Sequence, residues 1–75
     1  MRVVIVYSNN LKSEAQSLKD DIKTKWSDAE VNLMGVYGKT DSFSRYQVQL
    51  ERSILYHNNV STDNTTIINL IEERL

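Results

Sequence analysis

The first third of the chain most constrains the fold, because an apolar strand pattern passes there into a helical one. Positions 3–7 read VVIVY, a continuous run of β-branched residues that ends in a tyrosine. Apolar residues at every position, rather than at every second one, are typical of a strand covered on both sides in an α/β sheet. We therefore predict a central or near-central strand at residues 3–7.

The next stretch has the period of an amphipathic helix. Its apolar residues are separated by steps of 4, 3, 4 and 4 and are Leu11, Ala15, Leu18, Ile22 and Trp26. This spacing forms one stripe on a helix of 3.6 residues per turn. Asn10 precedes the stripe and is a residue type that accepts hydrogen bonds from first-turn N–H groups. We predict a helix over residues 11–26 with Asn10 as its N-cap.

The middle of the chain, from residue 30 to residue 57, predicts three strands and a hairpin turn. Glu30–Val36 is predicted to be a second strand, and we expect it to be parallel to the first because a helix separates the two. Alternating residues at 46–50 and 54–57 predict an antiparallel hairpin with Glu51 and Arg52 at its turn. Because neither is the usual asparagine or glycine, we expect a longer turn or a bulge. The outer hairpin strand would be a sheet edge, which invites pairing unless it is charged or covered.

The last element is predicted to be a helix with Asp63 as its N-cap. Its apolar face, which is expected to pack on the sheet, comprises Ile67, Ile68, Leu70, Ile71 and Leu75. The predicted order is therefore β-α-β-β-β-α, an α/β (α+β) arrangement with a mixed four-stranded sheet and two helices. At 75 residues the chain is expected to form one domain over residues 1–75.

Composition excludes several classes of function. Nine basic and ten acidic side chains give a net charge of −1, which argues against nucleic-acid or anionic-membrane partners. The chain has no cysteine, so disulfides, thiolate metal sites and thiol chemistry are excluded. His57 is the single histidine and reads as a surface residue rather than a ligand or base. We predict no metal site and no cofactor.

The N-terminal apolar run is too short for a targeting or membrane segment. Its five residues are fewer than a secretion signal requires, and no apolar run approaches the ~20 residues of a membrane span. We therefore expect a cytoplasmic location and no membrane association.

Four segments resemble the thioredoxin superfamily. They are VVIVYS, LKDDIKTKW, AEVNLMG and YQVQLERSILYH, and together they are similar to the selenoprotein W-like branch. The segment VIVYS is also similar to the glutaredoxins. The resemblance covers nearly the whole chain, in pattern more than in motif, and implies a minimal thioredoxin-like domain.

The redox motif of those families is missing from this chain. In selenoprotein W register the two redox positions fall on Ser8 and Leu11, and in glutaredoxin register near Lys12 and Ala15. None of these residues is a thiol or selenol, and the chain also lacks the proline that glutaredoxins place before the hairpin. Because dithiol exchange needs a thiolate and a resolving partner, the family's redox activity does not carry over.

We therefore predict a redox-inactive, non-enzymatic module that binds another protein, as a monomer or weak homodimer. Its first candidate binding loop, at the former redox position, comprises Ser8, Asn9, Asn10 and Leu11. A second candidate loop within residues 37–44 contributes Tyr37, Lys39 and Phe43. Small size and many asparagines fit a compact regulatory protein of the kind that phages encode.

Two alternatives use the same first loop. In one, backbone N–H groups of residues 10–13 and the side chains of Ser8 and Asn9 bind a small anion such as phosphate. In the other, Ser8 is a nucleophile, which requires an oriented base, and His57 is the only histidine available. Nothing in the sequence marks His57 as a neighbour of Ser8.

Overall fold

The structure, a computed structural model, describes residues 1–36, 45–58 and 61–75. Its strands are β1 (Arg2–Ser8), β2 (Glu30–Val36), β3 (Tyr46–Leu50) and β4 (Ser53–Asn58). Its helices are a 3₁₀ turn (Asn9–Leu11), α1 (Lys12–Lys25) and α2 (Asn64–Arg74). The order of strands and long helices is β-α-β-β-β-α, which confirms the predicted α+β fold.

The four strands form one mixed sheet in the order β2-β1-β3-β4. β1 runs parallel to β2, with Val3 opposite Val31, and antiparallel to β3, with Ile5 opposite Val48. β4 pairs antiparallel with β3 and forms the far edge. The predicted central place of β1 and the predicted edge position of the outer hairpin strand are both confirmed.

One hydrophobic core lies between the sheet and the helices. From the helices it takes Ala15, Leu18, Ile22, Ile67 and Ile71, all fully buried. From the sheet it takes alternate residues of β1, β2 and β3, because successive side chains of a strand point to opposite faces. α1 begins and ends one residue inside the predicted range, and its buried stripe is as predicted.

The opposite face of the sheet is less covered than the apolar run of β1 predicts. Within the described ranges both helices contribute to the one core, and no helix lies on the face that carries Val4, Val6 and Met34. Val6 is only 5% exposed, whereas Met34 is 56% exposed. Val6 is therefore buried, as the prediction of a strand covered on both faces requires. No helix of the described ranges covers this second face.

The prediction of Asn10 as the N-cap of α1 is wrong. Asn10 lies inside the 3₁₀ turn, and Leu11 occupies the N-cap position with φ −110° and ψ 18°. The side chain of Leu11 packs against the core. Leu11 is the last residue of the 3₁₀ turn, which is wound more tightly than an α-helix. At the start of α1, the N-cap residue Leu11 makes a hydrophobic contact and no side-chain capping hydrogen bond.

The prediction of Asp63 as the N-cap of α2 is confirmed. Its carboxylate accepts a hydrogen bond from the Thr66 hydroxyl, and this bond is the main reason that the pKa of Asp63 lies below its usual value. Ile67 and Ile71 are buried as predicted. Leu75 is not, because α2 ends at Arg74 and the leucine beyond it is 71% exposed.

Side chains join the two helices at both ends. Asn64, at the start of α2, donates through Nδ2 to Ser17 Oγ at 3.0 Å and to Asp21 Oδ2 at 2.7 Å. At the other end Lys25 forms an ion pair with Glu72. These contacts are exposed, so they align the helices more than they stabilise the fold.

The hairpin between β3 and β4 turns at Glu51 and Arg52, as predicted. Both residues have positive φ angles, of 48° and 76°, which is the backbone of the two-residue turn that asparagine and glycine favour. The predicted irregularity also occurs, as a register shift between Val48 and Gln49 that leaves Leu55 as the extra residue of β4. The turn itself is therefore short, and the bulge lies in the strand.

Replacing Arg52 with glycine is expected to raise the free energy of unfolding by about 0.5–1 kcal/mol. A residue with a side chain is strained by about 1–2 kcal/mol at positive φ, and glycine removes this strain. Part of the gain is lost because glycine has more conformational freedom in the unfolded chain. The control is Arg52→Ala, which removes the same charge and keeps the strain. Urea unfolding of both variants measures the difference, and equal stability of the two would contradict the expected strain at Arg52.

Candidate functional site at the carboxyl end of β1

Ser8 ends the central strand and holds it to β3. The Ser8 N–H donates to the Arg45 carbonyl at 2.8 Å, and the Arg45 N–H donates to Ser8 Oγ at 2.5 Å. The hydroxyl oxygen thus replaces the backbone acceptor that a continued strand would offer to Arg45. Ser8 is only 6% exposed, and its role in this geometry is to anchor the turn that follows.

The turn after Ser8 presents two asparagines to solvent. Asn9 and Asn10 are exposed, and Leu11 is half-buried against the core. The Lys12 N–H donates to the Asn9 carbonyl, so the turn continues directly into α1. We call Asn9, Asn10 and Leu11 the anchored turn, because Ser8 fixes its beginning and α1 fixes its end.

A cluster of three tyrosines lies on the helix side of the sheet. Tyr7 of β1 is opposite Tyr46 of β3, and the rings of Tyr46 and Tyr56 are 6.1 Å apart in an edge-to-face arrangement. Gly35 of β2 makes room for this cluster, because a Cβ there would lie 3.3 Å from the hydroxyl of Tyr7. No local sequence pattern predicts this cluster, because the strand register that aligns Tyr7 with Tyr46 depends on long-range pairing.

Tyr46 is the most unusual member of the cluster electrostatically. Its side chain is fully buried, and its hydroxyl has no hydrogen-bond partner among the residues that the structure describes. Burial raises the pKa of Tyr46 to about 12, with smaller contributions from the negative charge of Glu14 and from Tyr56. The phenol therefore stays neutral to a higher pH than an ordinary tyrosine does, near the first turn of α1 to which Glu14 belongs.

The structure does not bring Ser8 and His57 together. His57 is exposed on β4 opposite Gln47, and β3 lies between β4 and β1. Two strand spacings separate the backbones of β4 and β1 by roughly 10 Å. This geometry therefore does not offer His57 as a base for Ser8, and His57 is the exposed surface residue that the sequence predicts.

Tyr37, Lys39 and Phe43, the residues of the second candidate loop, lie outside the described residues, and their predicted role stays a prediction.

Within residues 1–36, 45–58 and 61–75, no three acidic or histidine side chains are grouped so that they could hold a metal ion. In the same part of the chain, no helix has the length and apolar character needed to cross a membrane.

Comparison with known proteins shows the fold alone. No protein-family model matches the chain, and no curated protein matches it. The chain is similar to a solved structure described as that of a malarial protein, with a TM-score of 0.58 and 12% sequence identity. The similarity covers 99% of this chain and 96% of the other. At this identity it carries no information about function.

Replacing Ser8 with alanine is expected to lower the free energy of unfolding by about 1–2 kcal/mol, because the Arg45 N–H loses its acceptor. The Arg45 amide should also exchange its hydrogen with solvent faster. Ser8→Thr keeps the hydroxyl and is the matched control. Urea unfolding combined with amide exchange measures both effects, and protection of Arg45 that is unchanged in Ser8→Ala would contradict the anchoring role.

Proposed function

We propose that this chain is a redox-inactive, thioredoxin-like module that binds another protein through the anchored turn. The observation that carries this proposal is the turn itself, in which exposed Asn9 and Asn10 lie between a strand end fixed by Ser8 and the start of α1. Asparagine side chains both donate and accept hydrogen bonds, which suits contact with a protein surface. Because the turn is held at both ends, little conformational entropy is lost when a partner binds.

The absence of thiol chemistry supports a binding role over a catalytic one. The chain contains no cysteine, and the residue at the first former redox position, Ser8, is buried with its oxygen engaged by Arg45. The strand order, with β1 between a parallel and an antiparallel neighbour, fits the thioredoxin-like layout. Function at this end of the sheet then depends on contact rather than on group transfer.

The experiment compares partner capture by two variants with the same added charge. In Asn9→Lys/Asn10→Lys both changes lie on the anchored turn, and in Thr65→Lys/Asn69→Lys both lie on the exposed side of α2. Each tagged protein is incubated with a lysate of the native host, and captured proteins are quantified by mass spectrometry. We expect a stoichiometric partner with the wild type and the α2 variant, and at least ~10-fold less of it with the turn variant, which is a loss of about 1.4 kcal/mol.

Equal capture by the two variants would refute the proposed use of the anchored turn. A parallel titration of the labelled chain with inorganic phosphate, followed by NMR, tests anion binding at the same place. Saturable shifts confined to residues 8–13, without any captured protein, would replace the proposal with the anion-binding alternative. Circular dichroism of each variant ensures that a loss of capture is not a loss of fold.

A further inference from the structure

The two edges of the sheet differ in how well they could accept another strand. On β4, the register shift near Gln49 leaves Leu55 as an extra residue, and such bulges disrupt pairing along an edge. On β2, all seven residues from Glu30 to Val36 pair with β1 in one unbroken parallel register. Of the two, β2 has the regular backbone that a further strand requires.

The outer edge of β2 also lacks the usual protection by charge. Glu30 is the only charged residue in the strand, and its carboxylate is paired with the Arg2 guanidinium at 3.4 Å. Asn32 and Met34 are exposed, with Met34 at 56%, and Leu33 is half-buried. Edge strands are ordinarily blunted by lysine, proline, bulges or inward-pointing charges, and β2 contains none of these.

We propose that β2 pairs with β2 of a second copy of this chain, antiparallel and about a twofold axis that passes between the two Leu33 residues. The two sheets then form one continuous sheet of eight strands, with the helices of both copies on the same side. β2 shares no residue with the anchored turn, so the proposal does not rest on the proposed function.

Leu33 is the middle residue of β2, so a register about it pairs all seven residues of one strand with all seven of the other. This register places Leu33 opposite its own counterpart, Asn32 opposite the partner's Met34, and Glu30 opposite the partner's Val36. In each pair both residues have odd numbers or both have even numbers, so they lie on the same face, as directly opposed residues of a sheet must. The single acidic residue faces an uncharged one, and no like charges are opposed.

The size of the contact predicts a weak dimer. One pair of seven-residue strands buries less surface than the roughly 800 Å² per partner of a standard stable interface. We therefore expect the dimer to be populated at protein concentrations of tens to hundreds of micromolar, which corresponds to a Kd of roughly 10–100 μM.

Disulfide crosslinking tests the register directly, because the natural chain contains no cysteine. Opposed residues of antiparallel strands have Cα atoms about 4.5–5.5 Å apart, which is within the range that a disulfide spans. Leu33→Cys is expected to form a covalent dimer under mild oxidation at high protein concentration. The control is Ile54→Cys on the bulged strand β4, which at 55% exposure is more accessible than half-buried Leu33, so accessibility alone would favour crosslinking at the control.

Sedimentation provides the second measurement and does not depend on cysteine chemistry. The average mass of the wild type is expected to rise with concentration up to about 1 mM. Met34→Lys should remain monomeric, because two lysines would meet diagonally across the twofold axis, whereas Ile54→Lys should behave as the wild type does. Crosslinking no faster at Leu33→Cys than at Ile54→Cys would overturn the proposal, and so would a wild type that remains monomeric to 1 mM.

Discussion

Leu18→Ala is expected to lower the free energy of unfolding by about 2–5 kcal/mol, the usual cost of truncating a buried leucine. Leu18 is fully buried in the middle of α1, so the alanine leaves a cavity where the helix packs on the sheet. A typical domain has only about 0.05–0.15 kcal/mol of stability per residue, so this loss is a large share of the total for 75 residues. The midpoint of urea unfolding should fall accordingly.

The control for this prediction is Gln16→Ala, on the exposed side of the same helix. Its side chain makes one exposed hydrogen bond, to Asp20 at 3.2 Å, so the change should remain within about 0.5 kcal/mol. Similar losses for the two variants would mean that α1 does not pack through the stripe that contains Leu18.

Tyr46→Phe is expected to act in the opposite direction and raise the free energy of unfolding by about 1–3 kcal/mol. The Tyr46 hydroxyl is buried and has no hydrogen-bond partner within residues 1–36, 45–58 and 61–75, which carries a desolvation cost of this size, and phenylalanine removes that cost while keeping the ring. The edge-to-face contact with Tyr56 is also preserved. Chemical unfolding at neutral pH measures the gain.

The same substitution should change how stability depends on alkaline pH. Because burial raises the pKa of Tyr46 to about 12, the unfolded chain releases this proton at lower pH than the folded chain does. The wild type therefore loses stability as pH rises from about 10, the ordinary tyrosine value, toward 12. Tyr46→Phe lacks this loss, so its advantage over the wild type should grow across that interval.

Tyr56→Phe serves as the control, because Tyr56 is only half-buried and is not expected to gain stability when its hydroxyl is removed. A Tyr46→Phe variant that is less stable than the wild type at neutral pH would mean that the Tyr46 hydroxyl has a favourable partner. It would then be a positioning group at the carboxyl end of β1 rather than an energetic cost.

The fold could be predicted from the sequence because its main signals are local. The β-branched run of β1 and the stripe of α1 depend on residues a few positions apart, and both elements are found where those patterns place them. The turn at Glu51 and Arg52 was also predictable, from the change in alternation on either side, although neither residue favours positive φ. In that case strand pairing outweighs the local preference of the turn residues.

The details of the site could be predicted only in part, because they depend on contacts between distant residues. Ser8, Asn9 and Asn10 were expected together in one loop, and Asn9 and Asn10 are exposed there. The anchoring of Ser8 requires Arg45, 37 residues later, and no local pattern indicates that bond. The difference between the two sheet edges could also be predicted only in part, because the hairpin was expected to have a longer turn or a bulge, but the position of the bulge in β4 depends on the strand register.

The most direct test of the proposed function is a hydrogen-exchange footprint of the captured partner on the intact chain. Amide exchange is measured for the free protein and for the purified complex, and protection is compared among the anchored turn, β2 and the exposed side of α2. We predict that protection on binding is greatest at Asn9, Asn10 and Leu11. A footprint confined to β2 or α2, with unchanged exchange at those three amides, would contradict the account.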